Sequence, residues 1–139
     1  NGMNIETEAG LPVSAPWEVE NLTTGEKSTV EAAGSFFDIP KGTYKYSATF
    51  ISSSERSLRI TASGKRTFTV YLNGEEVFKR EYKGYVPAYH REYDWFRVHA
   101  LRGANLVEVV FNDEPEGEFF FCFAEDTRLP NMVDSMERM

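Results

Sequence analysis

The chain has 139 residues, a length that suits one folding unit. A unit of that size buries roughly 68% of the surface its unfolded chain exposes, so it needs neither a disulfide nor a metal to hold it together. The formal net charge of −7 repels phosphate backbones and anionic lipids, which argues against nucleic acid and membrane surfaces as partners.

The 11 Phe and 7 Tyr favour strands. A single cysteine, Cys122, excludes an internal disulfide. It stands in the apolar run Phe119 to Phe123 and reads as a buried, inert thiol. No stretch approaches the roughly 18 apolar residues of a membrane-spanning helix, and no signal-peptide pattern opens the chain. The first residue is Asn1 rather than Met, which reads as a piece of a longer protein. An export signal would then have been removed, so its absence carries little weight. The sequon Asn21-Leu22-Thr23 matters only in a eukaryotic secretory host.

In chain order, residues 1–15 lack periodicity and read as a lead-in segment. Residues 16–126 read as the folded unit and residues 127–139 as a C-terminal tail or short helix. Strands are expected at Trp17 to Asn21, Ser28 to Ala32 and Phe36 to Ile39. Pro40-Lys41-Gly42 is a tight turn. From Tyr44 to Ile51 the chain alternates, with Tyr44, Tyr46, Ala48 and Phe50 on one face and Lys45, Ser47 and Thr49 on the other. A strand from Ser57 to Ala62 follows, with Ser63-Gly64 as the turn after it.

Lys65 to Tyr82 carries the strongest local signal, Asn73-Gly74 between two strand-forming runs. Both residues tolerate the positive φ that a two-residue hairpin turn requires. A regular hairpin there places Val70 opposite Val77, Thr69 opposite Phe78 and Leu72 opposite Glu75. Phe68, Val70, Leu72 and Val77 then form its core face. Lys83 to Asp94 holds Gly84 and Pro87 and reads as irregular. Trp95 to Leu101 returns to strand, Arg102 to Asn105 is a turn, and strands follow at Leu106 to Asn112 and Glu118 to Ala124, around a turn at Asp113 to Gly117. About nine short strands with almost no helix describe an antiparallel β-sandwich.

Three stretches together resemble the galactose-binding-domain-like β-sandwich, the jelly roll of many carbohydrate-binding modules. They are Asp38-Ile39-Pro40-Lys41-Gly42-Thr43-Tyr44, Val70-Tyr71-Leu72-Asn73-Gly74-Glu75-Glu76-Val77, and Val98 to Val109, where Ala100 stands in place of the pattern's leucine. The resemblance runs from about Phe36 to Phe123. It implies an all-β, antiparallel jelly-roll sandwich. It further implies a non-catalytic accessory module of a secreted or surface glycan-processing protein, with an extracellular, periplasmic or cell-surface location. The implied partner is a carbohydrate or a neighbouring domain. No cofactor is expected. The structural calcium of several family members is echoed only by Glu6-Thr7-Glu8, and two carboxylates do not supply the roughly six to eight oxygens that calcium takes.

The loop from Gly84 to Trp95 is the expected ligand site: Tyr85, Tyr89, His90, Arg91, Tyr93 and Trp95. Aromatic rings offer a flat face to the C–H side of a sugar, and Arg91, Glu92 and Asp94 offer partners to its hydroxyls. The plainer reading of the same aromatics is a small satellite core closing one end of the sandwich. Trp17 reads as core or edge packing before it reads as a second platform, and Tyr71 as a ring on an outer sheet face. For catalysis, His90 with Glu92 and Glu92 with Asp94 are each two residues apart, but no second element supplies a partner. Metal-ligand spacings and phosphate-cradling glycine loops are absent. The chain therefore reads as no enzyme. The competing functional reading is a structural or protein-interaction module without sugar affinity.

Overall fold

The computed structural model describes residues 3–4, 16–31, 36–84 and 95–125. They form eleven strands: β1 (Met3–Asn4), β2 (Trp17–Asn21), β3 (Lys27–Val30), β4 (Phe36–Ile39), β5 (Gly42–Ser52), β6 (Arg56–Gly64), β7 (Phe68–Leu72), β8 (Glu75–Arg80), β9 (Trp95–Ala100), β10 (Gly103–Glu114) and β11 (Gly117–Glu125). The lead-in between β1 and β2, and the tail after β11, lie outside the described residues.

Two sheets result. One has the order β3-β2-β5-β10-β7-β8, with β1 pairing in parallel onto β5; the other has the order β4-β11-β6-β9. From β4 to β10 the chain changes sheet at every connection but the β7–β8 hairpin. That places β5-β10-β7-β8 over β4-β11-β6-β9, the eight-strand order of a jelly roll. The β2–β3 hairpin extends the larger sheet beyond β5. The fold is the all-β antiparallel jelly-roll sandwich that the sequence motifs imply.

Alternation decides which face is core. Tyr46, Ala48 and Phe50 of β5, Val107, Val109 and Phe111 of β10, and Leu58, Ile60 and Ala62 of β6 all turn inward and are buried. Aromatic rings join the two sheets edge to face. Phe50 meets Phe123 at 4.8 Å, Phe111 meets Phe119 at 4.8 Å, and Trp17 meets Phe121 at 5.2 Å between centroids. Trp17 is fully buried, so it is core and offers no platform. Cys122 is also buried, on the outward-facing side of β11.

Three local expectations are corrected. The central hairpin turns at Asn73-Gly74 as expected, with φ of 52° and 85°. Leu72 then faces Glu75, but a bulge follows, and Val70 faces Phe78 rather than Val77. The extra residue lets both Val77 and Phe78 pack on the core, and Phe78 stacks on Phe96 at 4.4 Å. Ser63-Gly64 is not a turn but the end of β6, with Gly64 opposite Phe119; the bend falls at Lys65-Arg66. A Cβ on Gly64 would come within 2.3 Å of the Glu118 carbonyl oxygen, so glycine here reflects close backbone approach. Gly103 to Asn105 belong to β10, paired with Ser52 to Phe50, and the bend is Leu101-Arg102.

Two polar devices fix the ends of the sandwich. At one end, buried Asn105 donates through Nδ2 to Leu101 O (2.9 Å) and Gly103 O (3.1 Å), and its Oδ1 accepts from Leu101 N (2.8 Å) and Asn73 Nδ2 (3.0 Å). Asn73 in turn exchanges backbone and side-chain bonds with Leu106. The hairpin turn and the β9–β10 bend are thus tied together.

At the other end, Arg66 is fully buried. Its Nη1 donates to Ile39 O (3.1 Å) and Pro40 O (2.6 Å), and its Nη2 to Gly42 O (2.6 Å) and Asn112 O (2.7 Å). Glu114 sits 3.7 Å from its Nε and also accepts from the Thr67 hydroxyl at 2.8 Å. One guanidinium, with donors in a fixed fork, therefore holds three connections together. Burial pulls its pKa down and the Glu114 carboxylate opposes that pull.

Candidate functional site

Of the six residues expected to form a ligand site, Tyr85, Tyr89, His90, Arg91 and Tyr93 lie outside the described residues, as do Glu6 and Glu8. Trp95 is described. It opens β9, at the end of the sandwich opposite the Asn73–Asn105 pair, and is half-buried on the outward face of the smaller sheet.

Pairing in register builds the surroundings of Trp95. Across β6 and β9, Trp95 stands opposite Thr61, Arg97 opposite Arg59, and His99 opposite Ser57. Arg59 and Arg97 both lean on the indole, with guanidinium carbons 5.0 Å and 4.7 Å from the ring centroid. Arg97 is exposed and Arg59 half-buried. In the neighbouring row, His99 Nε2 lies 2.9 Å from Glu55 Oε1. Thr61 and Cys122, next to Trp95 across the ladder, are buried. On a chain of net charge −7, two guanidiniums thus gather at one aromatic ring.

A second feature lies on the outer face of the larger sheet. A hollow of about 500 Å³ is lined by Glu18, Glu20, Lys27, Thr29, Lys45 and Ser47. Lys45 bridges Glu20 at 3.5 Å and Glu108 at 3.6 Å, so its charge is already matched. In the same face the register runs Glu18, Ser47, Glu108, Tyr71, and Tyr71 is half-buried there. The hollow is polar and shallow against the sheet. The outward alternation of Lys45 and Ser47 was its sequence signal, but the pairing of β2 onto β5 was not. Likewise Arg59 was legible as an outward residue between Leu58 and Ile60, while its partner across the ladder was not.

Among the described residues no group of three or more His, Cys, Asp or Glu could hold a metal ion. No helix among them is long and apolar enough to cross a membrane.

No protein-family model matches the chain, and no curated protein resembles it significantly. Solved structures do share its fold. A β-glucosidase from Kluyveromyces marxianus, in complex with glucose, aligns with a TM-score of 0.55 and 9% identity, over 86% of this chain and 16% of that one. A β-D-glucuronidase from Dictyoglomus thermophilum aligns with a TM-score of 0.50 and 17% identity, over 72% and 19%. A family 35 carbohydrate-binding module from an environmental isolate aligns with a TM-score of 0.43 and 13% identity, over 70% and 81%. The chain thus spans under a fifth of either enzyme, and at these identities the likeness is one of fold.

Proposed function

We propose that the chain is a non-catalytic carbohydrate-binding module of a larger glycan-processing protein, and that Trp95 belongs to its ligand site. The observation that carries this reading is Trp95 itself. It is a half-exposed indole on a rigid strand, flanked by hydrogen-bond donors and adjoining the aromatic-rich segment 85–94. Sugar recognition combines an aromatic face with convergent polar groups. The fold likeness supports the accessory role, because a unit of this architecture makes up 16% of a β-glucosidase. The reaction of the parent protein would lie outside this chain, and an extracellular, periplasmic or cell-surface setting would follow.

A glycan-array screen, run with and without calcium, tests the reading. Binding to at least one glycan class is expected, and Trp95→Ala should abolish it while leaving the urea midpoint in place. Silence across plant, host and bacterial glycans would turn the assignment to a structural or protein-interaction module. Loss of binding with chelator would return attention to Glu6 and Glu8.

A further inference from the structure

The pairing of Arg59 with Arg97 is costly by itself. Like charges directly opposite in an antiparallel ladder repel. An exposed pair can turn outward into water, but here both guanidiniums are gathered over one ring. Stacking on the indole offsets part of the repulsion, and it leaves the Arg59 charge in place. Among the described residues no carboxylate pairs with Arg59, and its Nε is buried without a hydrogen-bond partner. Arg66 differs: its Nε also lacks a hydrogen bond, but its two terminal nitrogens reach four carbonyl oxygens and Glu114 lies 3.7 Å from its Nε. Arg59 is half-buried, charged, held by a ring and left with donors to spare.

From this contrast we infer that Arg59, with Arg97 and Trp95, forms a subsite for the anionic substituent of a glycan, a carboxylate or a sulfate ester. The inference rests on the carbohydrate-binding reading and specifies its ligand class. A planar guanidinium presents parallel N–H donors that match two oxygens of such a group. Seating it would give Arg59 a counter-charge. Trp95 would meet the sugar ring that carries it. Acidic glycans are otherwise poor partners for a chain of net charge −7, so a place where two guanidiniums meet one ring is where one would be captured.

The test measures dissociation constants of the whole chain for oligogalacturonate (carboxylate), dextran sulfate (sulfate ester), neutral β-1,4-galactan and sodium sulfate alone. Wild type, Arg59→Gln, Arg59→Lys and Trp95→Ala are compared. One of the two anionic glycans should bind tighter than galactan, and should weaken as salt rises. Arg59→Gln should lose roughly ten- to hundredfold of that affinity, the range of a charge-assisted hydrogen-bond pair. Arg59→Lys should recover part of it, which a merely structural arginine would not show. Galactan binding unaffected by Arg59→Gln, with no preference for either anionic glycan, would overturn the inference and leave the module reading standing. No binding to any glycan would overturn both. Sodium sulfate bound as well as either anionic glycan would overturn the inference in favour of a plain ion site.

Discussion

At the scale of single residues, the two most consequential side chains are Arg66 and Tyr46. Arg66 carries a full charge into the interior and survives there because its terminal nitrogens find four carbonyl acceptors and Glu114 supplies a counter-charge. Arg66→Ala would strand Glu114 and four carbonyls, and a loss of about 3–5 kcal/mol is expected in urea unfolding. Glu114→Gln, which keeps the contact to the Thr67 hydroxyl but removes the charge, should cost less. Tyr46 is buried beneath Trp17 and Phe111, and burial pushes its phenol up to about 12 from 10.0, helped by Tyr44 and opposed by Arg66. The folded state thus prefers the protonated phenol. That preference costs nothing below pH 10, and stability should fall as pH rises from there through about 12. Tyr46→Phe should flatten that stretch of a stability–pH curve measured by denaturant midpoint. Neither residue announced itself in the sequence. Arg66 sat in what read as the approach to a strand, and its acceptors lie 24 to 46 residues away along the chain.

At the scale of elements, short-range chemistry was readable and pairing was not. Asn73-Gly74 forced a turn because both positions need positive φ, and the structure has it. The β5 alternation fixed a core face because the period of a strand is two. The bulge after Tyr71 could not be read, since nothing in Glu75 to Arg80 distinguishes a regular ladder from one with an extra residue. Nor could the end of β6, where Gly64 resembles a turn glycine but serves a close backbone contact. Gly64→Ala is expected to cost at least about 2 kcal/mol, because the backbone of Glu118 must shift to admit a methyl group. Asn105→Ala should also be destabilising, by about 2–3 kcal/mol, since it leaves the Leu101 and Asn73 groups without partners. Hydrogen exchange would place that loss at the two bends rather than in the distant strands. The candidate site divides the same way. Trp95 was legible as an aromatic where an irregular segment meets a strand. Arg59 was legible only as an outward strand residue, because it takes the β6–β9 register to bring it beside Trp95.

At the scale of the whole molecule, stability resides in the aromatic layer between the sheets. Phe119 lies 4.8 Å from Phe111 and 5.1 Å from Phe68 and is fully buried. Phe119→Ala should cost about 3–5 kcal/mol in urea unfolding while leaving the outward faces unaltered. Ligand capture is proposed for the patch around Trp95, where two guanidiniums meet one indole on a chain of net charge −7. The measurement that bears most directly on that claim is affinity electrophoresis through gels cast with neutral or acidic polysaccharides, wild type beside Trp95→Ala. Retardation of the wild type in at least one gel, lost in the variant at an unchanged urea midpoint, is the result the account predicts. Equal migration of both proteins in every gel, relative to a gel without polysaccharide, would contradict it.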